Sequence, residues 1–530
     1  MHLWTDSSLS TVWKYSTEPQ EFQTGYQLHM VRNSFSSYQI LLKDKTDFTI
    51  RSVKADGFDP DSGISLRCQF QETIDFRHDS YPDPLSNEPS IEVASGEIQS
   101  IWVTVYVDSD VLPGLYQGQI RIEAGEEEYV SDLEIKLYSP VLPSGKEAAF
   151  STEYWMNTTN FWFRYPDPGQ LDFLNYYYGC EKYSSTWWEI NRSIAEHMKE
   201  NRINVLFVRT HDLLLDGGTT LDENGTYHFC WDLFDKWVDF FDRYAEIKFL
   251  AGYHLVVQTE GKKIYLIDRV DEKPVISTSE IGSPKTENWL KQFLPALFNH
   301  LTEREDQHRW LQHIEDEPSE SDSWRYAREY VRNYMPGIRC MDAIDNQQPM
   351  PSLQQEMDLW IPRVDVYEQN RDFYDYRLSQ GDARWTYNCC EPHYQNYANK
   401  FLGWPLLHNR ILPWGCFVNH FNGFLHWGYN FWDPKDPWFG LNPDAVIKGD
   451  GYIVYPDPKH SGIKNSIRMI STRDGAQDFE LLSLLAKKDP SAAFCLARKV
   501  ILRFNDFNWD TSHFEEIRME LLEALENSSV

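Results

Sequence analysis

The chain has 530 residues, long enough for two or three domains, and its 50 basic against 81 acidic residues give a formal charge of −31. A surface this acidic repels phosphate backbones and anionic membranes, so the composition argues against nucleic-acid binding and favours neutral or cationic ligands. Aromatic residues make up 15% of the sequence, and such rings either fill a core or supply flat faces on which sugars stack.

The cysteines and the first residues bear on location. Eight cysteines show no CxxC pair and no zinc spacing, and the vicinal pair Cys389–Cys390 is too close for a low-strain disulfide, so we expect reduced thiols. The start, MHLWTDSSLS, lacks a basic region followed by an apolar stretch. No segment approaches the roughly 18 apolar residues that a membrane span needs. We therefore expect a cytoplasmic protein without membrane insertion, with a trimmed secreted form as the alternative.

Residues 1–145 are predicted to form a β-sandwich domain. IWVTVYVDSD (101–110) and VSDLEIKLYS (130–139) alternate large apolar with smaller or polar residues, and LPGLYQGQ (112–119) between them has the composition of a turn. Short alternating strands at this spacing are typical of two packed sheets. PVLPSGKEA (140–148) is predicted to be a linker.

Residues 146–443 are predicted to form a (β/α)8 TIM-like barrel, because about eight strand-like segments are mostly separated by helical ones. The helical segments are 184–202, 231–247, 286–305, 319–335 and 370–379, and the strand-like ones are 148–156, 203–210, 248–257, 309–316, 337–345, 357–362, 383–390 and 423–432. Residues 444–530 are predicted to form a small C-terminal subdomain packed on the barrel, with a strand and turn in GDGYIVYPDP (449–458) and a helix within 466–488.

The predicted C-terminal strand ends of the barrel are rich in polar and aromatic residues, as expected for a sugar site. They are Thr210, His211, His254, Asp316, Glu317, Asp342, Asp345, Tyr387, Asn388, Trp427, Tyr429 and Asn430.

The segment HIEDEP (313–318) places three adjacent acids at the end of the fourth predicted strand. Neighbouring side chains of a regular strand point to opposite faces, but at a strand end both Asp316 and Glu317 can enter one pocket. Pro318 is predicted to hold Glu317 extended. Glu315 is expected to point away, as a supporting or solvated residue. The alternative is that these acids interact with the N-terminal dipole of the following helix.

Two other interpretations of this segment remain open. His313 could orient a ligand, although a core histidine is the commoner outcome. A metal site made of His313, Glu315 and Asp316 is conceivable, but no second histidine stands at ligand spacing.

Adjacent acids favour one kind of glycoside chemistry. Glycosidases with a protein nucleophile usually draw their two carboxyls from different strands, whereas a neighbouring pair fits substrate-assisted catalysis by a 2-acetamido group. Repulsion between the two charges should raise one pKa, as a general acid at neutral pH requires.

Several motifs resemble glycoside hydrolase family 123 and the wider set of proteins with domain of unknown function 4091. They are HIEDEP (313–318), WTYNCCEPHYQNYAN (385–399), GFLHWGYNFW (423–432) with DPW (436–438), GDGYIVYP (449–456) and SIRMISTRDGAQDFELL (466–482). The resemblance runs from about 150 to 485, and the N-terminal part resembles the sandwich that precedes the barrel in that family.

The resemblance implies a retaining exo-β-N-acetylhexosaminidase, in particular a β-N-acetylgalactosaminidase, that works through an oxazolinium intermediate without metal or organic cofactor. It implies that Asp316 orients and polarises the acetamido group and that Glu317 is the general acid and then the general base. The substrate-binding candidates are Trp385, Tyr387, Trp427 and Tyr429 as sugar platform and walls, and His254, Asn388 and Arg410 as hydroxyl ligands. The alternatives are a glycosidase on another sugar and a catalytically silent carbohydrate-binding protein on the same barrel. RDGAQD (473–478) is expected to tie the last subdomain to the barrel by arginine–carboxylate hydrogen bonds, in a structural role.

Overall fold

The N-terminal strands form two sheets in the computed structural model, which describes residues 1–59, 61–76, 79–159, 173–257, 262–319, 321–347, 350–394, 396–432 and 448–527. These strands are β1 (His2–Ser7), β2 (Gly25–Arg32), β3 (Ser34–Lys43), β4 (Phe48–Asp56), β5 (Ile64–Phe76), β6 (Asp79–Ser86), β7 (Ile91–Val93), β8 (Ile98–Val107), β9 (Gly114–Ala124) and β10 (Glu127–Val141).

The two sheets share one apolar core. One has the strand order β1-β3-β8-β5-β6 and the other β2-β10-β9-β4-β7, and all their pairings are antiparallel except β2 with β10. Alternate residues of facing strands, such as Ile40, Val103, Ile120 and Ile135, are fully buried between the sheets. This packing follows from the period-two pattern of the sequence, and the β-rich N-terminal region is confirmed.

The other strands and the helices follow in chain order. The strands are β11 (Ser151–Tyr154), β12 (Val205–Val208), β13 (Thr220–Leu221), β14 (Tyr227–His228), β15 (Phe249–Gly252), β16 (Val256–Val257), β17 (Lys263–Val270), β18 (Lys273–Glu280), β19 (Trp310–His313), β20 (Arg339–Ile344), β21 (Leu359–Pro362), β22 (Ala383–Arg384), β23 (Thr386–Tyr387), β24 (Gly423–His426), β25 (Tyr455–Asp457), β26 (Gly462–Lys464), β27 (Ile501–Arg503) and β28 (Asp506–Phe507). The helices are α1 (Phe173–Tyr178), α2 (Ser185–Glu200), α3 (Thr210–Asp216), α4 (Asp232–Tyr244), α5 (Pro284–Glu303), α6 (Ser321–Tyr334), α7 (Val364–Gln369), α8 (Arg371–Ser379), α9 (Leu407–Val418), α10 (Ile467–Lys488), α11 (Pro490–Val500) and α12 (Thr511–Asn527).

A nine-stranded parallel sheet forms the barrel, in the order β22-β21-β20-β19-β15-β12-β11-β24-β23. Its two outer segments, β22 and β23, belong to one stretch of chain interrupted at Trp385, so the sheet curls back almost to closure. A small antiparallel sheet of β16, β17 and β18 is inserted between β15 and α5. The barrel-like sheet with its helices agrees with the predicted fold class, and a strict (β/α)8 repeat stays a prediction.

Residues of the barrel strands alternate between the barrel interior and the surrounding helices. The interior cluster includes Val205, Phe207, Leu311, Met341 and Leu359, whereas the cluster shared with the helices includes Leu206, Leu250, Trp310, Cys340 and Trp360. This alternation presents every second residue to the barrel axis, so polar residues just beyond the strands meet at the C-terminal mouth.

Helix α10 joins the sandwich to the barrel. Every residue from Ile467 to Leu482 is buried. On the sandwich side, Arg468 donates to Asp83 of β6 at 2.9 and 3.0 Å and Gln477 exchanges hydrogen bonds with the backbone of Phe35. On the barrel side, Arg410 of α9 donates to Asp478 at 2.8 Å. The RDGAQD segment therefore makes the expected arginine–carboxylate contact with the barrel.

Two predictions concern residues that the structure does not describe. The boundary between 443 and 444, where the C-terminal subdomain was predicted to begin, lies outside the described residues, as does the DPW motif at 436–438. Among the helices that are described, none combines the length and the apolar character that crossing a bilayer requires.

Candidate active site

The acid pair lies where the chain leaves the barrel sheet. β19 ends at His313, and Asp316 and Glu317 follow in the turn that leads to α6. Glu317 has φ +43°, in the left-handed region. The prediction that Pro318 holds Glu317 extended is therefore wrong. Proline disfavours the right-handed helical conformation at the residue before it, and Glu317 avoids that conformation by adopting the left-handed one. A positive φ at a residue with a Cβ is strained, and such strain clusters at functional sites.

Both acids titrate abnormally. Burial, followed by the charge of Glu317, holds the pKa of Asp316 well above its usual range. Burial and the charge of Asp345 also raise the pKa of Glu317, and a hydrogen bond donated by the Tyr387 phenol to Glu317 Oε1 at 2.5 Å partly opposes the rise. Because neighbouring charges resist ionising together, the pair retains a proton at a pH where isolated carboxyls have lost theirs.

A buried network of charges supports the acid pair from below. The two ring nitrogens of His313 lie 3.0 Å from Asp342 Oδ1 and 3.1 Å from Glu153 Oε1, and all three side chains are fully buried. Burial alone would lower the pKa of His313, but the two carboxylates outweigh it and raise the pKa to about 10. His313 is therefore an imidazolium at neutral pH, held between two acids.

Asp342 connects this network to the backbone of the acid segment. Its Oδ2 accepts the backbone N–H groups of Ile314 and Glu315 at 2.9 and 3.0 Å and the indole N–H of Trp324 at 2.6 Å. The two residues that lead into Asp316 are therefore fixed by a side chain of the next strand, β20. No local pattern in the sequence indicates this contact, although Asp342 was predicted to lie near the site.

Glu315 points away from the acid pair, as expected, but it is not solvated. It is fully buried, and its carboxylate accepts hydrogen bonds from Lys262 and from Ser323 of α6, both at 2.5 Å. Its role is to hold the segment against α6 and the loop before β17.

A third acid, which sequence reasoning missed, lies beside Trp427 at the mouth. Asp450 is buried, and its Oδ2 accepts the indole N–H of Trp427 at 3.0 Å. Burial raises the pKa of Asp450 to about 7, with a further contribution from the charge of Glu317. The motif GDGYIVYP contained the only available signal, since Asp450 lies between two glycines with no periodic pattern around it.

Four of the nine predicted site residues meet at the mouth: Asp316, Glu317, Tyr387 and the partly buried Trp427. His254 lies just below them, with its ring 4.6 Å from that of His313 and its Nε2 3.6 Å from Asp342 Oδ1. Asn388 is fully buried, accepting from Lys400 at 3.0 Å and donating to the Ala398 carbonyl at 3.2 Å, so it shapes the loop after β23.

Three predicted substrate ligands lie elsewhere. Trp385 stands two residues before Tyr387 on the same inward face, deeper in the barrel, where its indole covers Gly423 so closely that an added Cβ would lie 2.4 Å from the ring. Tyr429 is fully buried, and its phenol lies 3.0 Å from His197 of α2, outside the barrel. Arg410 is occupied by Asp478 between α9 and α10. Packing and ion pairing account for these three.

The described residues contain one cluster with metal-ligand spacing, formed by His254, His313 and Asp342, whose ligand atoms lie within 4.8 Å of one another. Both nitrogens of His313 already face carboxylates. With each ring nitrogen of His313 directed at a carboxylate oxygen, the cluster is accounted for as an ion-pair network. The predicted lack of a cofactor stays a prediction.

The site thus combines two adjacent carboxyls with raised pKa values, a phenol bonded to one of them, and an aromatic side chain beside a further acid at the mouth of a barrel-like sheet. Such groups serve acid–base chemistry on a glycosidic bond, and the class they define is the glycoside hydrolases.

Comparisons with known proteins identify the family. The glycoside hydrolase 123 catalytic domain matches residues 169–485, and the glycoside hydrolase 123 N-terminal domain matches residues 24–124. The chain belongs to glycoside hydrolase family 123, and its substrate is a carbohydrate. The comparison with curated proteins gives no significant match.

One solved structure shares the fold of the whole chain. The chain is similar to a family 123 glycoside hydrolase from Clostridium perfringens, described in a study of glycolipid glycan hydrolysis, with a TM-score of 0.76 and 15% identity over 99% of this chain and 97% of that one. A family GH10 xylanase from termite gut (TM-score 0.31, 10% identity, 86% and 100% covered) and a β-glucuronidase from Parabacteroides merdae (0.32, 9%, 84% and 50%) are more distant. At such identity the first match shows a common fold, and the other two carry no argument.

Proposed function

We propose that this glycoside hydrolase is a retaining exo-β-N-acetylhexosaminidase that removes β-linked N-acetylgalactosamine by substrate-assisted catalysis. The observation that carries the proposal is the adjacent pair Asp316–Glu317, with both pKa values raised, beyond the end of one strand. Adjacent acids suit a mechanism in which the nucleophile belongs to the substrate.

In the first step the acetamido carbonyl oxygen attacks C1 while the bond from C1 to the leaving oxygen breaks. Glu317 gives its proton to that oxygen, and Asp316 accepts a hydrogen bond from the acetamido N–H and balances the positive charge of the oxazolinium ring. In the second step water attacks C1, Glu317 takes a proton from the water, and the acetamido group is regenerated. Two inversions at C1 give net retention.

Substrate binding assigns the shared proton. The acetamido N–H donates to Asp316 and so favours its ionised form, which moves the proton of the pair to Glu317. Of the charges beneath the pair, that of Asp342 adds to the rise in the pKa of Asp316 and that of His313 opposes it, so the hydrogen bond from the acetamido group is what tips the proton to Glu317.

A panel of aryl β-glycosides tests the proposal. Acetamido sugars should be hydrolysed and the matching sugars with a 2-hydroxyl should not, and a thiazoline analogue of N-acetylgalactosamine should inhibit strongly because it mimics the cyclised intermediate. Equal rates on both classes of sugar would exclude assistance by the acetamido group. Binding of the sugar without turnover would indicate a silent binding protein.

Substitutions in the acid triplet test the roles. Glu317→Gln should lose about 10²- to 10⁴-fold in kcat with a poor leaving group and far less with an activated phenol, which needs no protonation. Asp316→Asn should lose activity with both. Glu315→Gln is the matched control, since it neutralises the neighbouring acid whose side chain points away from the pair. Small, equal losses of activity in all three variants would contradict the roles assigned to Asp316 and Glu317.

The cytoplasmic location stays a prediction.

A further inference from the structure

Asp450 has one carboxylate oxygen that the protein uses and one that it does not. Oδ2 accepts the indole N–H of Trp427 at 3.0 Å, whereas Oδ1 has no hydrogen-bond partner among the described residues. The residue is 7% exposed. An unmade hydrogen bond at a buried carboxylate is costly, so such a group calls for a ligand or a functional reason.

The position of Asp450 is fixed. A Cβ on Gly428 would lie 2.0 Å from the Asp450 carbonyl oxygen, so the segment around Asp450 presses directly on the end of β24, where only glycine fits. The ring nitrogens of His426 lie 3.0 Å from that same carbonyl and 2.9 Å from the Asn388 carbonyl. These contacts hold the carboxyl at one place beside Trp427.

This place lies across the barrel from the acid pair. In the strand order, β24 is four strands away from β19 through β11, β12 and β15, and the other way round it is reached through β20, β21 and the β22–β23 stretch. The charge of Glu317 contributes to the raised pKa of Asp450, as expected for two carboxyls that face the same mouth.

A pyranose ring also presents different groups at two opposite edges, which can meet the acid pair on one side of the mouth and Asp450 on the other. If Asp316 and Glu317 handle the C2 substituent and the oxygen on C1, the opposite edge of the ring, with the hydroxyls on C4 and C6, faces β24. A galacto-configured sugar has an axial hydroxyl on C4, which leaves an apolar face of C–H bonds suited to an aromatic ring, and a gluco-configured sugar has an equatorial one.

We propose that Asp450 is a specificity-determining residue, which accepts a hydrogen bond from the C4 or C6 hydroxyl of the sugar through Oδ1, while Trp427 covers the apolar face beside it. The inference rests on the proposed function for the orientation of the sugar. It places recognition of the C4–C6 edge of the sugar, which includes the carbon at which galacto and gluco configurations differ, on the β24 side of the mouth.

The test is a cycle of variants and substrates. Activity of the wild type and of Asp450→Asn is measured on aryl β-N-acetylgalactosaminide and on its 4-deoxy and 6-deoxy analogues. With the parent sugar, kcat/KM of Asp450→Asn should fall about 10- to 100-fold, the range for a hydrogen bond to a charged group. With the deoxy analogue that lacks the bonded hydroxyl, wild type and variant should be nearly equal. The ratio of galacto to gluco activity should also fall.

Asp457→Asn is the matched control, because Asp457 is buried in the same segment but pairs with His460 at 2.9 Å, and its kinetics should match the wild type. Asp450→Glu, which keeps the charge and displaces it, gives a second reading if Asp450→Asn does not fold. The inference is overturned if the variants lose the same factor on parent and both deoxy sugars.

Failure of the proposed function would look different. In that case the wild type would hydrolyse sugars without an acetamido group, and the same cycle would be run on their deoxy analogues. For an enzyme without turnover, calorimetric affinities for N-acetylgalactosamine and its deoxy analogues replace kcat/KM, and equal losses on all sugars again overturn the inference.

Discussion

Asp342→Asn should disable the site through the backbone that precedes the acid pair. The Asp342 carboxylate accepts four hydrogen bonds, from the His313 ring, the Ile314 and Glu315 amides and the Trp324 indole, at full burial. An asparagine can keep its oxygen toward the amides and the indole, but its NH₂ group then faces the His313 N–H. One partner of a buried ion pair is lost, which costs about 3–5 kcal/mol of unfolding free energy.

The catalytic loss has a separate origin. When the Ile314 and Glu315 amides are held less firmly, the acids that follow shift, and a displacement of about 1 Å in an active site costs about 100-fold in rate. We expect kcat on an aryl β-N-acetylgalactosaminide to fall by that order, measured well below the transition temperature. Denaturant unfolding gives the stability change independently.

Asp358→Asn is the control for this prediction. Asp358 accepts the Cys340 amide at 2.7 Å and the Arg328 guanidinium at 3.0 Å, at the end of the same strands away from the mouth. Its substitution should lower stability and leave kcat unchanged. The reasoning fails if Asp342→Asn retains full kcat in a folded enzyme, or if Asp358→Asn loses as much.

Three further outcomes follow from the contacts. Tyr387→Phe removes the hydrogen bond that lowers the pKa of Glu317, so the alkaline limb of the kcat/KM profile should move to higher pH, and a move to lower pH would contradict the assignment. Asp316→Asn should raise the Tm relative to wild type. The pKa of Asp316 is higher in the folded protein than in the unfolded one, so ionisation of this carboxyl destabilises the wild-type fold as the pH rises past about 4. Each pKa unit between the two states lowers the free energy of unfolding by about 1.4 kcal/mol. If the difference in Tm between Asp316→Asn and wild type does not grow from pH 4 to pH 7, the raised pKa of Asp316 is refuted. Arg410→Met should lower the free energy of unfolding in denaturant by about 3 kcal/mol and leave kcat unchanged, because Arg410 forms an ion pair with Asp478 outside the barrel. A loss of kcat without a loss of stability would instead place Arg410 at the active site.

The elements were predictable because their signals are local. The helix expected over 286–305 runs over 284–303, and the strand expected over 203–210 covers 205–208. The strand expected over 309–316 stops at His313 because the Ile314 amide bonds to the Asp342 side chain instead of continuing the ladder. A side chain from another strand decided that boundary, and no window of the sequence contains both residues.

The acid pair was predictable for the same local reason, since Asp316 and Glu317 are adjacent and end an apolar run. The supporting groups were not. Glu153 and His313 are 160 residues apart and form a pair only through the barrel sheet. Tyr429 and Trp427 are two positions apart, but β24 ends at His426, so the alternation of a regular strand no longer fixes where Tyr429 points.

Helix α10 makes the sandwich indispensable to the catalytic barrel. Removing residues 1–141 would leave Arg468 without Asp83 and expose guanidinium and apolar groups that are buried in this structure. We therefore expect the two parts to melt in a single calorimetric transition, and the excised barrel to aggregate. In this enzyme the N-terminal sheets pack against a buried helix of the catalytic region, so they cannot be exchanged like an accessory domain on a flexible linker.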